Sequence, residues 1–448
     1  MDILRLGISI NDKYLNPLQH HVYQPLKGFR EFTDEAMASR NRVIEILKGV
    51  PQRFGFREID IPSIEPLEIF KLKSGDEIVQ QTFSFVDKGG REVTLIPETT
   101  PTVARLVASA SKARQMPIKW YSFTKLWRYE EPQSGRFREF YQLNVDTFGS
   151  PDVRADAELI AVAAGILKAL GLSPDVRIHI SDRRLIDGYL DHVKAQDKRA
   201  VMRILDKRDK ISSDEMKEML SSTGLSRDVV ETLCSLISIK GGIADRLPEV
   251  ESILGQSDAT RRMSALSEMI EWYEVPEVCE LDLGIVRGLD YYTSFIMEAH
   301  DIRGEYRALF GGGRYDELVS LFGGPSTPAV GFAIGDAILE ILMRRAGTWD
   351  QGPLRTDCMV AVTDDSMYMH AVRLASRLRE KGMIVETDLM RKKLARQLSY
   401  ASAINARWVI IVGPREWSEK KVTLRNMKTG EQRSLTIDEA IDNVLKDT

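Results

Sequence analysis

The stretch Trp120–Gly149, WYSFTKLWRYEEPQSGRFREFYQLNVDTFG, constrains the chain more than any other. Aromatic and β-branched residues on both arms, with a polar centre, predict two long strands joined by a loop. The loop from Tyr129 to Phe137 holds Pro132, Ser134 and Gly135, residues that turn a chain. Successive side chains of a strand face opposite ways. Tyr141, Leu143 and Val145 therefore share one face of the second arm, and Phe140, Gln142, Asn144 and Asp146 the other. An apolar face beside a polar one is the ordinary look of a half-solvated sheet. Arg128, Arg136 and Arg138 crowd the loop, however, and guanidinium forks are good fixed donors to phosphate oxygens. A ring, an amide and a carboxylate at alternate positions beside a cationic loop suit a ligand with a flat base and a phosphate tail.

Arg128-Tyr-Glu-Glu-Pro-Gln, then Gly135-Arg136-Phe-Arg138-Glu-Phe140-Tyr-Gln142, resembles motif 2 of the class II aminoacyl-tRNA synthetases in its histidyl form. Upstream, Asp34 to Gly49 has helical apolar spacing, and Arg53 to Pro62 reads as a strand ending at proline. That order is similar to motif 1, which builds the dimer interface in the family. Between them, Lys88-Gly89-Gly90 predicts a hairpin turn. Pro97-Glu98-Thr99-Thr100-Pro101 then opens a helix running to about Ala113. Carboxylates and hydroxyls there read either as a helix cap or, by the resemblance, as the loop gripping the substrate α-amino group through Glu98 and Thr100.

A second signal lies at Glu280–Thr293, which contains Arg287-Gly-Leu-Asp-Tyr291-Tyr292. The string resembles the histidine-specific signature of histidyl synthetases. Adenylation brings a carboxylate to an α-phosphate, and a fixed cation such as Arg287 relieves the repulsion. Phe310-Gly-Gly-Gly-Arg314-Tyr315-Asp316 is similar to the second histidine motif, with Tyr315 walling the pocket. Ala329-Val-Gly331 through Gly335-Asp-Ala-Ile338 resembles motif 3 but departs from it. The family carries an arginine for the ATP γ-phosphate where this chain has Ile338, so other groups are expected to carry that charge, magnesium and Arg136 absorbing part of the loss, with a loosened grip on the ATP tail.

The resemblance implies a set of site residues. Arg287 and Arg128 are the catalytic candidates. Glu98, Thr100, Gln142, Asp146, Tyr291, Tyr292 and Tyr315 are expected to bind histidine, with Asp146 on the imidazole and Gln142 at the ammonium. Arg128, Glu130, Arg136, Phe140 and Arg287 are expected to bind ATP. ATP is a substrate, Mg²⁺ accompanies its phosphates, and no protein-only metal site is expected. Histidine tRNA is the macromolecular partner and a homodimer the expected assembly. A regulatory subunit of the ATP phosphoribosyltransferase type, which shares the core and lacks an anticodon domain, is the alternative.

Composition sets outer bounds. The 448 residues suffice for two or three domains. A net charge of -4 excludes a generally basic nucleic-acid coat while allowing local patches. Three scattered cysteines suggest neither a disulfide framework nor a CxxC site, which fits a reducing cytoplasm. Neither a membrane span nor a signal peptide is expected. Residues 1–26, with His20 and His21, form a leader without an assigned role.

The expected architecture is an α+β catalytic domain over 27–346, an antiparallel sheet flanked by helices, with a helical insertion at about 183–275. Its basic stretch, Lys194 to Lys210, reads either as a solvated helix face or, by the resemblance, as part of the cover over the tRNA acceptor end. A linker at 347–356 precedes an α/β domain at 357–448, where strand–helix alternation implies a mostly parallel sheet. Arg391-Lys-Lys-Leu-Ala-Arg396 and Ala406 to Gly413 resemble the family's anticodon-binding domain.

Overall fold

The computed structural model describes residues 24–74, 79–208, 211–285, 292–349 and 356–446. Arg287, Tyr291, His20, His21 and most of the 347–356 linker lie outside them. The described residues up to Glu31 and Val43–Trp349 form one compact unit; Phe32–Arg42 and those after 355 form a second.

The first unit has twelve strands: β1 (Arg57–Glu58), β2 (Ile64–Pro66), β3 (Ser84–Val86), β4 (Glu92–Leu95), β5 (Ile118–Trp127), β6 (Glu139–Phe148), β7 (Val176–Asp182), β8 (Lys240–Gly241), β9 (Cys279–Asp282), β10 (Phe295–Asp301), β11 (Phe310–Arg314) and β12 (Ala329–Gly335). Nine of them form one sheet in the order β1-β5-β6-β12-β11-β10-β7-β9-β8, and β2, β4 and β3 form a small one. The pairings from β5 through β7 are antiparallel; β1–β5 and β7–β9 are parallel.

The long hairpin predicted at 120–149 is β5 and β6, paired over ten residues from Ile118↔Phe148 to Trp127↔Glu139. Its turn is closed by reciprocal backbone bonds between Gln133 and Arg136, and Gly135 takes φ +69°, which favours glycine. The expected strand Arg53–Pro62 shrinks to β1: the first helix continues to Arg53, and the Asp60 carboxylate takes the Ile61 amide where the ladder would have gone on. Six helices fill 183–272, and the unforeseen two-residue strand β8 ties this segment to the sheet edge.

Register assigns the two sheet faces. Tyr121, Leu143, Val145, Phe332, Ile334, Met297 and Ile178 point to one side, into the large core under the helix Val153–Ala169. Asp152 caps that helix by accepting from the Arg154 amide, and its alanines let it lie close to the strands. The opposite face carries Gln142, Asn144, Asp146, Glu298, His300 and His179. A second cluster, with Trp120, Leu126, Phe148 and the helix Thr100–Ala110, closes one end of this polar face.

One buried ion pair fastens the two sides. Arg314, at the end of β11, places Nε 2.6 Å from Asp156, with the two side chains 2% and 1% exposed. Its other nitrogens donate to the Ser150 and Asp152 carbonyls at 3.0 and 2.8 Å. Arg262 reaches the other Asp156 oxygen at 2.6 Å. Burial pushes the Asp156 carboxyl up to about 6, and the two guanidiniums hold it from going higher.

The second unit holds β13 (Thr356–Val362), β14 (Val385–Thr387), β15 (Ala406–Val412), β16 (Lys421–Asn426) and β17 (Gln432–Thr436), ordered β14-β13-β15-β16-β17. The first three are parallel, as strand–helix alternation implies. The last two add an antiparallel edge that the sequence reading missed. Alternate residues of β13 enter cores on both faces, Val360 under Leu374 and Ile441, and Met359 beside Ala401.

Removing one partner of a buried pair leaves an uncompensated charge, at about 3–5 kcal/mol. Arg314→Met is therefore expected to lower the urea midpoint of the transition that unfolds the large sheet by that amount of free energy, followed by tryptophan fluorescence.

Candidate active site

The polar sheet face holds two adjoining groups of side chains. The first is a cavity of about 190 Å³ lined by Arg128, Glu130, Arg136, Phe140 and Gln142 from the hairpin, by Glu298 and Arg307, and by Ile338 from the helix Asp336–Ala346. Arg128 leaves the end of β5 with its guanidinium carbon 5.3 Å from the Phe140 ring centre, and its Nε donates to the Pro97 carbonyl at 2.9 Å. Arg136 is held along one edge by the Glu130 carboxylate, which accepts from both Nε and Nη2. Arg138 turns elsewhere, lying over the Tyr129 ring and bonding the Glu130 carbonyl at 2.9 Å. Of the three loop arginines, only Arg128 and Arg136 face the cavity.

The second group is Asp146, Tyr315 and Tyr292. Asp146 is 3% exposed, and the Tyr315 hydroxyl donates to its Oδ1. Burial pushes this carboxyl up to about 7 against the lowering effect of the phenol. Gly331 stands opposite Asp146 in β12. A Cβ there would meet Asp146 Oδ1 at 2.1 Å and the Tyr315 hydroxyl at 2.6 Å, so the position admits only glycine. The Tyr292 ring lies over the Gly313 backbone, and Arg183 donates to the Tyr292 carbonyl at 2.7 Å.

Glu98 and Thr100 sit on the segment joined to β5 through Arg128 and Pro97, and Thr100 opens the helix Thr100–Ala110. The cap reading of this segment is not realised, since the N-cap Thr99 makes no side-chain capping bond. Gln142 lines the cavity and shares the Asp146 face, so it stands between the two groups. Sequence reasoning did not single out Glu298 or Arg307, which no local pattern marks. It also passed over Ser122 and Thr124, whose facing follows from alternation along the first arm, and left Asn144 without a role. Ser122 Oγ, Thr124 Oγ1 and Asn144 Oδ1 are buried on this face without a hydrogen-bond partner among the described residues.

Beyond Glu298 the face opens into a larger cleft of about 720 Å³ between the sheet and the helical segment. His179 bonds Asp282 at 3.0 Å and Arg208 reaches the same carboxylate at 3.1 Å. Burial would raise Asp282, but these partners and Lys240 bring it down to about 2. Among the described residues, no group of three or more His, Cys, Asp or Glu is placed to hold a metal ion.

Residues 28–336 match the family model for histidyl-tRNA synthetase, and residues 357–447 match that of the anticodon-binding domain. The chain belongs to the histidyl-tRNA synthetase family. It is 43% identical to the histidine–tRNA ligase of Haloarcula marismortui over 93% of its own length and 96% of that protein's. Its fold is similar to that of histidyl-tRNA synthetase from a Nostoc species, with a TM-score of 0.81 at 22% identity, covering 96% of this chain and 100% of the other. A Bacillus halodurans structure described as an ATP phosphoribosyltransferase regulatory subunit/histidyl-tRNA synthetase matches at a TM-score of 0.74 and 26% identity, over 88% and 99% of the two chains. Histidyl-tRNA synthetases use ATP as a substrate, so the cavity beside Phe140 has a flat-based, phosphate-bearing ligand to be tested against.

Since the phenol lowers the Asp146 pKa, Tyr315→Phe is expected to move the Asp146 titration upward from about 7, as read by carboxyl-labelled NMR.

Proposed function

We propose that the chain is a histidine–tRNA ligase, joining histidine to ATP and then to the 3′ end of histidine tRNA. The observation that carries this reading is the continuity of one sheet face. The Phe140–Arg128 cavity and the Asp146–Tyr315–Tyr292 group share that face, with Gln142 between them. The family's anticodon domain over 357–447 supports the enzyme over a regulatory subunit.

In this reading the adenine stacks on Phe140, a flat apolar surface flanked by Arg128. Arg128 and Arg287 bracket the α-phosphate, and Arg136 faces the tail. Histidine lies along the neighbouring group, its ammonium at Glu98, Thr100 and Gln142 and its imidazole N–H toward Asp146, with Tyr291, Tyr292 and Tyr315 around it. The substrate carboxylate attacks the α-phosphorus, the bond to the β-phosphate oxygen breaks, and its electron pair leaves with pyrophosphate. Positive charge fixed beside that centre, as Arg287 would provide, lowers the barrier because the two reactants are both anions.

Magnesium is proposed to accompany ATP. Glu130 and Glu298 are carboxylates of the cavity wall, and this ion commonly binds through one or two carboxylates plus substrate phosphates. It would screen the phosphate charges.

The helical insertion at about 183–275 is proposed to cover the tRNA acceptor end, where Arg177, Arg208 and Lys240 line the larger cleft. In the α/β domain, Leu389 and Met390 are exposed beside Arg391, Lys392 and Lys393, a surface suited to unstacked bases and phosphates. The domain limits 27–346, 347–356 and 357–448, a homodimer built on the motif 1 segment and a cytoplasmic location belong to the same proposal. No helix among the described residues is long and apolar enough to cross a membrane.

Histidine-dependent pyrophosphate exchange by the purified chain tests the reading, and exchange with another amino acid, or none, overturns it. An acid of pKa about 7 is about nine-tenths ionised at pH 8 and about one quarter at pH 6.5. The ionised form accepts the imidazole N–H more strongly than the neutral one, so the KM for histidine should rise as the pH falls across that range, with the KM for ATP changing less. Asp146→Asn should raise the histidine KM and reduce its pH dependence to what the free substrate imidazole itself gives; a slope unchanged from the wild type would remove Asp146 from the imidazole. Arg287→Ala should lower kcat on the order of a hundredfold to a thousandfold, more than it weakens either substrate.

A further inference from the structure

The helix Asp336–Ala346 brings no cation to the cavity, because Ile338 takes the place of the arginine on motif 3. We propose that Arg307, from the loop between β10 and β11, holds the terminal phosphate of ATP in that arginine's place. The inference rests on the ATP-dependent reading above and deepens it.

Position is the first support. Arg307 lines the same cavity as Arg128, Arg136 and Ile338. Its Nη2 donates to the Gly135 carbonyl at 2.6 Å, which brings the guanidinium to the tip of the β5–β6 loop. Ile338 lies under that same tip: a Cβ on Gly135 would fall 2.2 Å from Ile338 Cδ1. Arg307 and Ile338 therefore meet the same loop residue from different chain elements.

Packing is the second. Ile338 is 4% exposed and belongs to the large core, with Leu339 and Leu342 beside it. The helix thus uses this position for apolar contact with the glycine turn. A guanidinium there would have to displace the turn that carries Arg136. Cation supply from a different loop leaves that contact intact.

Chemistry is the third. Arg136 gives the Nε–Nη2 edge of its guanidinium to the Glu130 carboxylate. Much of its charge is met before any nucleotide arrives. The triphosphate tail is the most highly charged part of ATP, and departing pyrophosphate keeps that charge. A guanidinium carries five donors in a fork that matches phosphate oxygens. The carbonyl contact sets the orientation of the Arg307 fork at the loop tip.

The test compares wild type with Arg307→Ala and Arg307→Lys in the full chain. A lost charge-assisted hydrogen bond corresponds to about a tenfold to hundredfold change in affinity. In histidine-dependent pyrophosphate exchange, Arg307→Ala should raise the KM for ATP by that factor and leave the KM for histidine near the wild-type value. Arg307→Lys should recover part of the loss, since it keeps the charge without the fork. Direct titration supplies a readout that a merely structural role would not move: Arg307→Ala should weaken ATP and leave adenosine monophosphate unchanged. Equal loss of both nucleotides, or wild-type affinity for ATP, would overturn the assignment. A wild type that binds ATP but shows no exchange would fault the ligase reading, and the two nucleotide affinities would still decide the role of Arg307.

Discussion

Three consecutive residues at the end of β11 tie the catalytic unit together, and the buried Arg314–Asp156 pair is their anchor. Its two ions are almost wholly removed from water, which is tolerable only because Arg262 and two backbone carbonyls complete the shell. With Arg314 fixed toward the helix Val153–Ala169, alternation turns Tyr315 to the other face, over Asp146. Asp316 then accepts from the Thr293 hydroxyl at 3.1 Å and the Ala329 amide at 3.0 Å, joining the entries of β10 and β12. A string that reads as a glycine-rich strand end is therefore a three-way fastening. The glycines before it let neighbouring backbone and the Tyr292 ring come close.

The cost of burying Asp146 follows from that fastening. A carboxyl with one phenol donor and, among the described residues, no cation beside it titrates near pH 7, where a small gain in hydrogen bonding shifts it to the ionised form. An imidazole N–H supplies such a gain. In the proposed reading, an amino acid with an apolar side chain would leave the carboxyl without that added bond, at about 1–3 kcal/mol. Discrimination of this kind works by leaving the wrong substrate's site polar and unsatisfied, which is stronger than shape selection alone. The partnerless oxygens of Ser122, Thr124 and Asn144 on the same face add to that polarity.

Much of this was legible in the sequence, and the failures have physical causes. The β5–β6 hairpin was readable because alternation, turn chemistry and length all agree there. The α/β domain was readable as far as its parallel strands; β16 and β17 were missed because Lys421–Asn426 alternates through just two apolar residues, Val422 and Leu424, and Gln432–Thr436 is almost wholly exposed. Arg53–Pro62 looks like a strand by composition, yet only two residues pair, since it lies at a sheet edge with one partner. Motif residues named candidate members of the site but not their pairing. That Glu130 occupies Arg136, or that Gln397 spends its amide on the Val362 backbone, follows from three-dimensional neighbours that no spacing encodes.

The same limit explains why Ile338 misleads when read alone. A motif lists side chains by position along one helix, whereas a ligand meets whatever charges converge on a cavity. Here the cavity wall draws cations from the β5 end, from the hairpin loop and from the β10–β11 loop. Losing an arginine from a fourth element changes which backbone carries the charge more than whether charge is present. The buried isoleucine also packs beneath the Gly135 turn, so the apolar replacement supports the loop that presents Arg136 and gives Arg307 its carbonyl anchor. Substrate charge and local packing thus select different residues at a position where the family pattern joins both tasks in one side chain.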